Sequence, residues 1–224
     1  MKVNFVLREQ LAPHIYSYYF RPSHHVRYVA GQFIELTLPH DKPDERGTMR
    51  WFTLSSSPDQ ELLAITTRHA TTLSSTFKKV LAGLKPGQEV HMSEPMGDFV
   101  LPKDTAKQLV FIAGGIGITP FHSMLQWVER KTEQRDIQLV HAAHSQEDLV
   151  FTDLFENMDI DFITLVGKKL VAEELIDMVG GLKDKTVYMS GPEPMIEALN
   201  KQLIDIGINK TDIVTDYFPN YSEI

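Results

Sequence analysis

The chain contains no cysteine. That absence removes disulfides, thiolate zinc sites and cysteine-ligated iron–sulfur clusters, so any redox chemistry needs a bound organic cofactor or a partner. A surplus of positive charge is missing too: 22 Lys and Arg stand against 30 Asp and Glu, a formal net charge of −8. Nucleic-acid binding normally requires a basic face and is disfavoured. No long apolar run opens the chain, where Arg8, Glu9, Arg21 and Arg27 interrupt the hydrophobic positions. A signal peptide or a membrane span is therefore not expected, and a reducing, cytoplasmic setting fits best. There is no internal repeat and no low-complexity segment. The rest is ordinary globular composition, 42% hydrophobic and 23% charged over 224 residues. That length favours two domains of roughly 100 residues each.

The two halves differ in rhythm. Strands are expected near Val3–Arg8, Ile15–Arg21, Gln32–Leu38, Arg50–Ser55, Leu62–Arg68 and Glu89–Ser93. Their separators are rich in Pro, Gly and Asp, and residues 32–38 alternate polar and apolar, the period of a half-buried strand. One helix interrupts near Ser75–Leu84, with Phe77, Val80, Leu81 and Leu84 at helical spacing. Short strands at near-regular spacing point to a small antiparallel barrel or sandwich. After Pro102 the pattern changes to apolar strands at Gln108–Ala113, Ile137–Ala143, Asp161–Val166, Thr186–Ser190 and Asp212–Asp216. Helices are expected between them at Pro120–Lys131, Glu147–Met158, Ala172–Val179 and Pro194–Ile206. This alternation predicts a doubly wound parallel sheet with helices on both faces. The boundary is expected between Leu101 and Lys107, giving domains 1–103 and 104–224.

Two turns in the second half carry candidate chemistry. Gly114-Gly115-Ile116-Gly117-Ile118-Thr119-Pro120 follows an apolar strand and precedes an amphipathic helix. Glycines let the chain turn tightly and let a diphosphate approach the main chain, while a helix start offers free N–H groups to an anion. Thr119 is expected to cap that helix with Pro120 at its first position. A glycine turn that merely packs helix on strand is the plain alternative. The second turn, Ser190-Gly191-Pro192-Glu193-Pro194-Met195, follows another strand, which puts Ser190 at the carboxyl edge where open α/β sheets bind ligands. Here too an ordinary turn, with Met195 filling core space, is an alternative. His141 and His144 lack downstream partners at metal-ligand spacing, so no metal site is expected.

Arg50-Trp51-Phe52-Thr53-Leu54-Ser55-Ser56 extends this picture. It stands in order with Ala30-Gly31-Gln32-Phe33, Leu84–Val90, Pro95-Met96-Gly97-Asp98-Phe99, the two turns above and Asp216-Tyr217-Phe218. Together these resemble the ferredoxin–NADP reductase superfamily over essentially the whole chain. The resemblance implies a six-stranded antiparallel β-barrel that binds flavin, with one helix, followed by an α/β nucleotide-binding domain. By that resemblance Arg50 neutralises a flavin phosphate, Phe52 lies against the isoalloxazine ring, and Thr53 hydrogen-bonds near its reactive nitrogen. Trp51 and Thr66 join the flavin-binding positions. Phe52 replaces the family's tyrosine, losing a hydroxyl and keeping an aromatic face. Ser75 and Thr76 match the segment that contacts the flavin diphosphate, which implies FAD rather than FMN. Gly114, Gly115, Gly117, Thr119 and Pro120 match the dinucleotide turn. Ser190, Gly191, Pro192 and Met195 match a Cys-Gly-x-x-x-Met turn beside the nicotinamide, with serine for cysteine. Asp216 stands near a glutamate of many relatives, and Phe218 or Tyr221 is placed to stack on the flavin.

The implied reaction is hydride transfer from NAD(P)H to flavin N5, with Thr53, Ser190 and Asp216 orienting the reacting groups. The resemblance locates the choice between NADH and NADPH after the second strand of the nucleotide domain. Residues 142–148, which include His144 and Ser145, hold no arginine and two acids there, which leans toward NADH. Electrons are then expected to pass to a separate acceptor, a ferredoxin- or flavodoxin-like protein or another redox protein. The net charge makes an acidic ferredoxin the less obvious choice. Alternatives are reduction of free flavin or ferric chelates, and a non-catalytic binding module that kept the fold.

Overall fold

A computed structural model describes residues 1–69 and 75–218 of the chain. It divides into two units, Met1–Val100 and Leu101–Ile224.

The first unit is an antiparallel sheet of six strands: β1 (Lys2–Ala12), β2 (Ile15–Pro22), β3 (Phe33–Thr37), β4 (Met49–Thr53), β5 (Leu63–Arg68) and β6 (Glu89–Met92), in the order β4-β3-β6-β1-β2-β5. The two edge strands meet where Leu54 bridges Ile65 and the Ser55 N–H donates to the Ala64 carbonyl at 2.8 Å. The sheet thereby closes into a barrel, which leaves no long open edge. The inward positions of each strand, among them Phe5, Tyr18, Phe20, Ile34, Leu36, Phe52 and Ile65, fill one core, and Phe77 and Leu81 of helix α1 (Thr76–Ala82) join it. Alternation dictates this: on β4, Arg50 and Phe52 turn one way while Trp51, 60% exposed, turns the other. β1 runs longer than its apolar pattern predicts, because register shifts at Phe5/Leu7 and Gln10/Ala12 let it bend and go on pairing with β2.

The second unit is a parallel five-stranded sheet: β7 (Gln108–Gly114), β8 (Ile137–Ala143), β9 (Asp161–Val166), β10 (Lys185–Pro192) and β11 (Ile213–Phe218), in the order β11-β10-β7-β8-β9. Helix α2 (Ile118–Lys131) covers one face, Phe121 stacking on Phe111 at 4.6 Å. Helices α4 (Ala172–Met178) and α5 (Glu193–Asp205) build the other core with Leu175, Ile196, Leu199 and Leu203. Chain order reverses between β7 and β10, so this is the switch point at which open α/β sheets present a crevice. No helix among the described residues is long and apolar enough to cross a membrane.

Two expectations change. The helix expected over Glu147–Met158 is a short 3₁₀ turn at Gln146–Asp148 and a separate helix α3 (Thr152–Glu156). Between them Phe151 takes a left-handed φ of 66°, and its ring stacks on His122 at 3.6 Å. Tertiary packing overrides local helical propensity there. The helix after the glycine turn also begins earlier: a 3₁₀ turn at Gly115–Gly117 runs straight into α2, and Gly117 is its N-terminal cap residue. Thr119 and Pro120 therefore lie inside the first turn. The Thr119 hydroxyl donates back to the Ile116 carbonyl at 3.2 Å, and Pro120 lacks only an N–H that the first turn leaves unused.

Candidate functional site

In the second unit the two turns expected from sequence lie side by side at the carboxyl ends of β7 and β10. The glycines divide by task. A Cβ on Gly117 would run into the Ser190 carbonyl, and one on Gly191 would lie 3.1 Å from the Gly114 Cα. A Cβ on Gly114 would meet Pro192 Cδ at 3.0 Å and the Met195 side chain, which is partly buried against the α4–α5 core. These three positions are glycine because main chain and side chains of the neighbouring turn occupy the space. Gly115 differs: its φ is +51°, and no atom lies within 4 Å of an added Cβ. It is the one glycine of the loop whose bare face meets open space.

Beneath this turn lies a residue that sequence reasoning passed over as an ordinary histidine. His141, on β8, is fully buried, and its Nε2 lies 3.0 Å from the Gly115 carbonyl oxygen. Burial drives its pKa from 6.5 down to about 4, against smaller opposing effects of the Gly115 bond and Asp148. The ring is thus neutral at ordinary pH and donates Nε2–H to Gly115, while Nδ1 is buried without a hydrogen-bond partner. A histidine within the otherwise apolar run Leu139-Val140-His141-Ala142-Ala143 was the available signal.

Ser190 is fully buried on β10, directly beside Asp216 on β11, and its hydroxyl reaches toward Asp216 Oδ2 at 3.5 Å, a long and weak contact. Burial raises the Asp216 carboxyl from 3.8 to about 6, partly offset by the Ser190 hydroxyl. Gly191 and Pro192 continue β10 and pair with Tyr217 and Phe218. The orientation of the Phe218 side chain, and all of Tyr221, fall outside the described residues. His144, exposed, and Ser145, half-buried, follow β8 at the same sheet edge.

The first unit gathers a different set. Arg50 lies over the Phe77 ring, 5.1 Å from its centroid, and its Nη2 pairs with Asp44 Oδ1 at 3.1 Å. Its Nη1 donates to the carbonyls of Arg46 at 2.5 Å, Met49 at 2.6 Å and Gly47 at 3.2 Å. Asp44 Oδ2 accepts from the Thr76 N–H at 2.8 Å and lies 3.1 Å from the Thr76 hydroxyl. Ser75 caps α1, its Oγ accepting from the Lys78 N–H at 3.2 Å. Arg50, Ser75 and Thr76 thus lie close together, with Asp44 as an unforeseen member. Phe52 points into the core, 7% exposed, and stacks on Phe77, so the ring that β4 offers outward is Trp51. Thr53 is buried at the end of β4, opposite Phe33. Thr66 sits in a buried hydroxyl chain, 2.7 Å from Ser17 Oγ and 2.8 Å from Ser55 Oγ, so its hydroxyl is occupied internally. No group of three or more metal-ligating side chains occurs among the described residues.

Comparison with known proteins agrees with this layout. Residues 111–161, which run from within β7 through the glycine turn, α2, β8 and α3 to the start of β9, match the family described as oxidoreductase NAD-binding domain. Flavohemoprotein A of Dictyostelium discoideum is 25% identical over 224 aligned residues, covering 91% of this chain and 56% of that protein. The chain spans a little over half the length of the curated relatives it matches first, 56 to 58%. Among solved structures, the flavohem-like FAD/NAD binding domain of nitric oxide dioxygenase from Vibrio cholerae O1 biovar El Tor superposes with a TM-score of 0.81 at 20% identity, covering 97% of this chain and 98% of that one. A ferredoxin NADP+ reductase from Neisseria gonorrhoeae with bound FAD and NADP gives 0.79 at 18% identity, with 97% and 98% covered. A closed antiparallel barrel followed by a five-stranded parallel sheet, with the matched NAD-binding segment at its switch point, gives the chain the same fold as these reductases.

Proposed function

We propose that this chain is an oxidoreductase module that takes a hydride from NAD(P)H onto FAD and passes the electrons to a separate acceptor. The observation that carries the reading is the pair of glycine turns at the switch point, with buried Ser190 and half-buried Asp216 beside them. Residues 104–224 would bind the nicotinamide cofactor and residues 1–103 the flavin. Gly115, open on its Cβ side and held from behind by His141, fits the approach of a diphosphate. In the barrel, Arg50 and the Thr76 N–H and hydroxyl converge on a carboxylate, the kind of donor set that suits a flavin phosphate. Bound FAD would supply hydride acceptance at N5 and release of electrons singly or in a pair.

The chain's own residues would then orient the reacting groups. Above about pH 6 Asp216 is a carboxylate, and beside a bound nicotinamide its charge would favour the oxidised, positively charged ring over the neutral reduced one. That difference would promote loss of hydride. Ser190 and Thr53 are buried hydroxyls that would hold ring edges in place. The stretch after β8, which holds no arginine and the two acids Glu147 and Asp148, supports NADH over NADPH. The acceptor would be a ferredoxin- or flavodoxin-like protein or another redox protein. A second reading, reduction of flavin that enters and leaves as a substrate, is favoured by the hold of Asp44 on Arg50.

The test is a visible spectrum of the purified protein, followed by anaerobic titration with NADH and then NADPH. A yellow protein, bleached stoichiometrically and at lower concentration by NADH, is expected. A protein that takes up no added FAD, or holds FAD that neither nucleotide bleaches, refutes the proposal.

A further inference from the structure

The loop of residues 38–48, between β3 and β4, places a negative charge on the groups that the proposed function assigns to the flavin phosphate. One Asp44 oxygen lies 3.1 Å from Arg50 Nη2, and the other accepts from the Thr76 N–H at 2.8 Å and lies 3.1 Å from its hydroxyl. The Asp44 N–H donates to that same hydroxyl at 3.0 Å, and His40 Nε2 lies 3.0 Å from it. Burial pushes the Asp44 carboxyl up, but hydrogen bonds from Thr76 and Arg46 and the Arg50 charge outweigh it and hold the group below the ordinary carboxylate value. It is therefore an anion across the working pH range. A phosphate brought to Arg50 and Thr76 would meet this charge at contact distance, and two anions on one donor set repel.

We propose that Asp44 is an internal counter-anion that competes with the flavin phosphate for Arg50 and Thr76, so that flavin is held loosely and exchanges. The proposal rests on the flavin reading above. The carboxylate has somewhere to go: Asp44 keeps 29% of its side-chain exposure, and its neighbours Pro43 and Glu45 are exposed. Displacement therefore costs one partly exposed ion pair and its hydrogen bonds, which weakens binding without preventing it. Arg50 would stay in place during the exchange, because its Nη1 is held by the Arg46, Gly47 and Met49 carbonyls independently of Asp44.

The experiment is a titration of the flavin-stripped full chain with FAD, followed by quenching of flavin fluorescence. Asp44→Asn keeps an oxygen for the Thr76 N–H and removes the charge. It is expected to bind FAD about fivefold to tenfold tighter and to release it correspondingly more slowly. Asp41→Asn, which removes an exposed charge from the same loop, should leave the affinity unchanged. If Asp44→Asn disturbs the fold, judged by near-ultraviolet circular dichroism, Asp44→Ser provides the uncharged comparison. Equal or weaker FAD binding by a folded, uncharged variant overturns the proposal, because Asp44 would then organise the donors rather than compete for them. So would equal tightening in Asp41→Asn, which would make the effect one of general charge. Arg50→Ala separates the two levels of argument. If that variant binds FAD as tightly as the parent chain, Arg50 does not hold the flavin, and the functional reading itself fails.

Discussion

Replacing Asp216 by asparagine should stabilise the Leu101–Ile224 unit at neutral pH, although the residue stands in the proposed reaction centre. The carboxyl is raised by burial from 3.8 to about 6, so the folded chain disfavours its ionised form by about 3 kcal/mol. The sign follows from linkage. Between those two values the folded state binds a proton that the unfolded state has lost, so this group's contribution is fully present below pH 3.8 and is lost as pH rises through about 6. Asparagine is nearly isosteric, carries no charge, and still offers an oxygen to the Ser190 hydroxyl. The variant should match the parent chain near pH 4 and exceed it by at most about 3 kcal/mol above pH 7. With typical urea dependence that is a midpoint shift of about 1 M or more. Trp51 and Trp127 are the two tryptophans of the chain, so Trp51→Phe leaves Trp127, on α2, as a reporter of this unit alone. Fluorescence-detected urea unfolding of Asp216→Asn and its parent in that background, from pH 4 to pH 8, gives the two curves. A variant no more stable than its parent at pH 8 would refute the reasoning, since the ionised carboxyl would then carry no burial cost.

His141 has the opposite sign: its folded pKa of about 4 lies below the usual 6.5, so stability is complete above pH 6.5 and falls as pH drops toward 4, by about 3 kcal/mol in all. His141→Gln, which keeps an N–H for the Gly115 carbonyl, should flatten unfolding curves in that window, and an unchanged slope would show that the histidine is not buried neutral. Gly117→Ala should cost about 3 kcal/mol or more, since its Cβ meets main chain at Ser190 that cannot move aside. Gly115→Ala should cost only about 1 kcal/mol, for its left-handed φ alone, and thermal unfolding in which Gly115→Ala is the more damaging would reverse the assignment of open and occupied sides.

The architecture was legible because it rests on short-range pattern. Period-2 alternation marked the barrel strands, and apolar runs separated by amphipathic helices marked the parallel sheet. β9 at Asp161–Val166 and the start of α4 at Ala172 coincide with their expected positions, and Gly207 follows α5 with a φ of +97°, as a terminating glycine should. The two glycine turns were visible as turns for the same reason. What each glycine is for was not, because the answer lies in another strand: Ser190 fills the space beside Gly117, and nothing fills that beside Gly115. Likewise, alternation separates Trp51 from Phe52, but only closure of the barrel decides which of them faces inward. Residues 147–158 have helical periodicity, and the break at Phe151 comes from a ring contact with His122 on α2. Asp44 and Thr76 are 32 positions apart, so no window of local sequence brings a loop carboxylate to the first residue of α1. The sequence by itself determined where the chain alternates, turns and coils, since those depend on neighbours along the chain. Only the tertiary structure decided which faces are filled, which stay open, and which charge already stands beside Arg50, since those depend on what packing brings near.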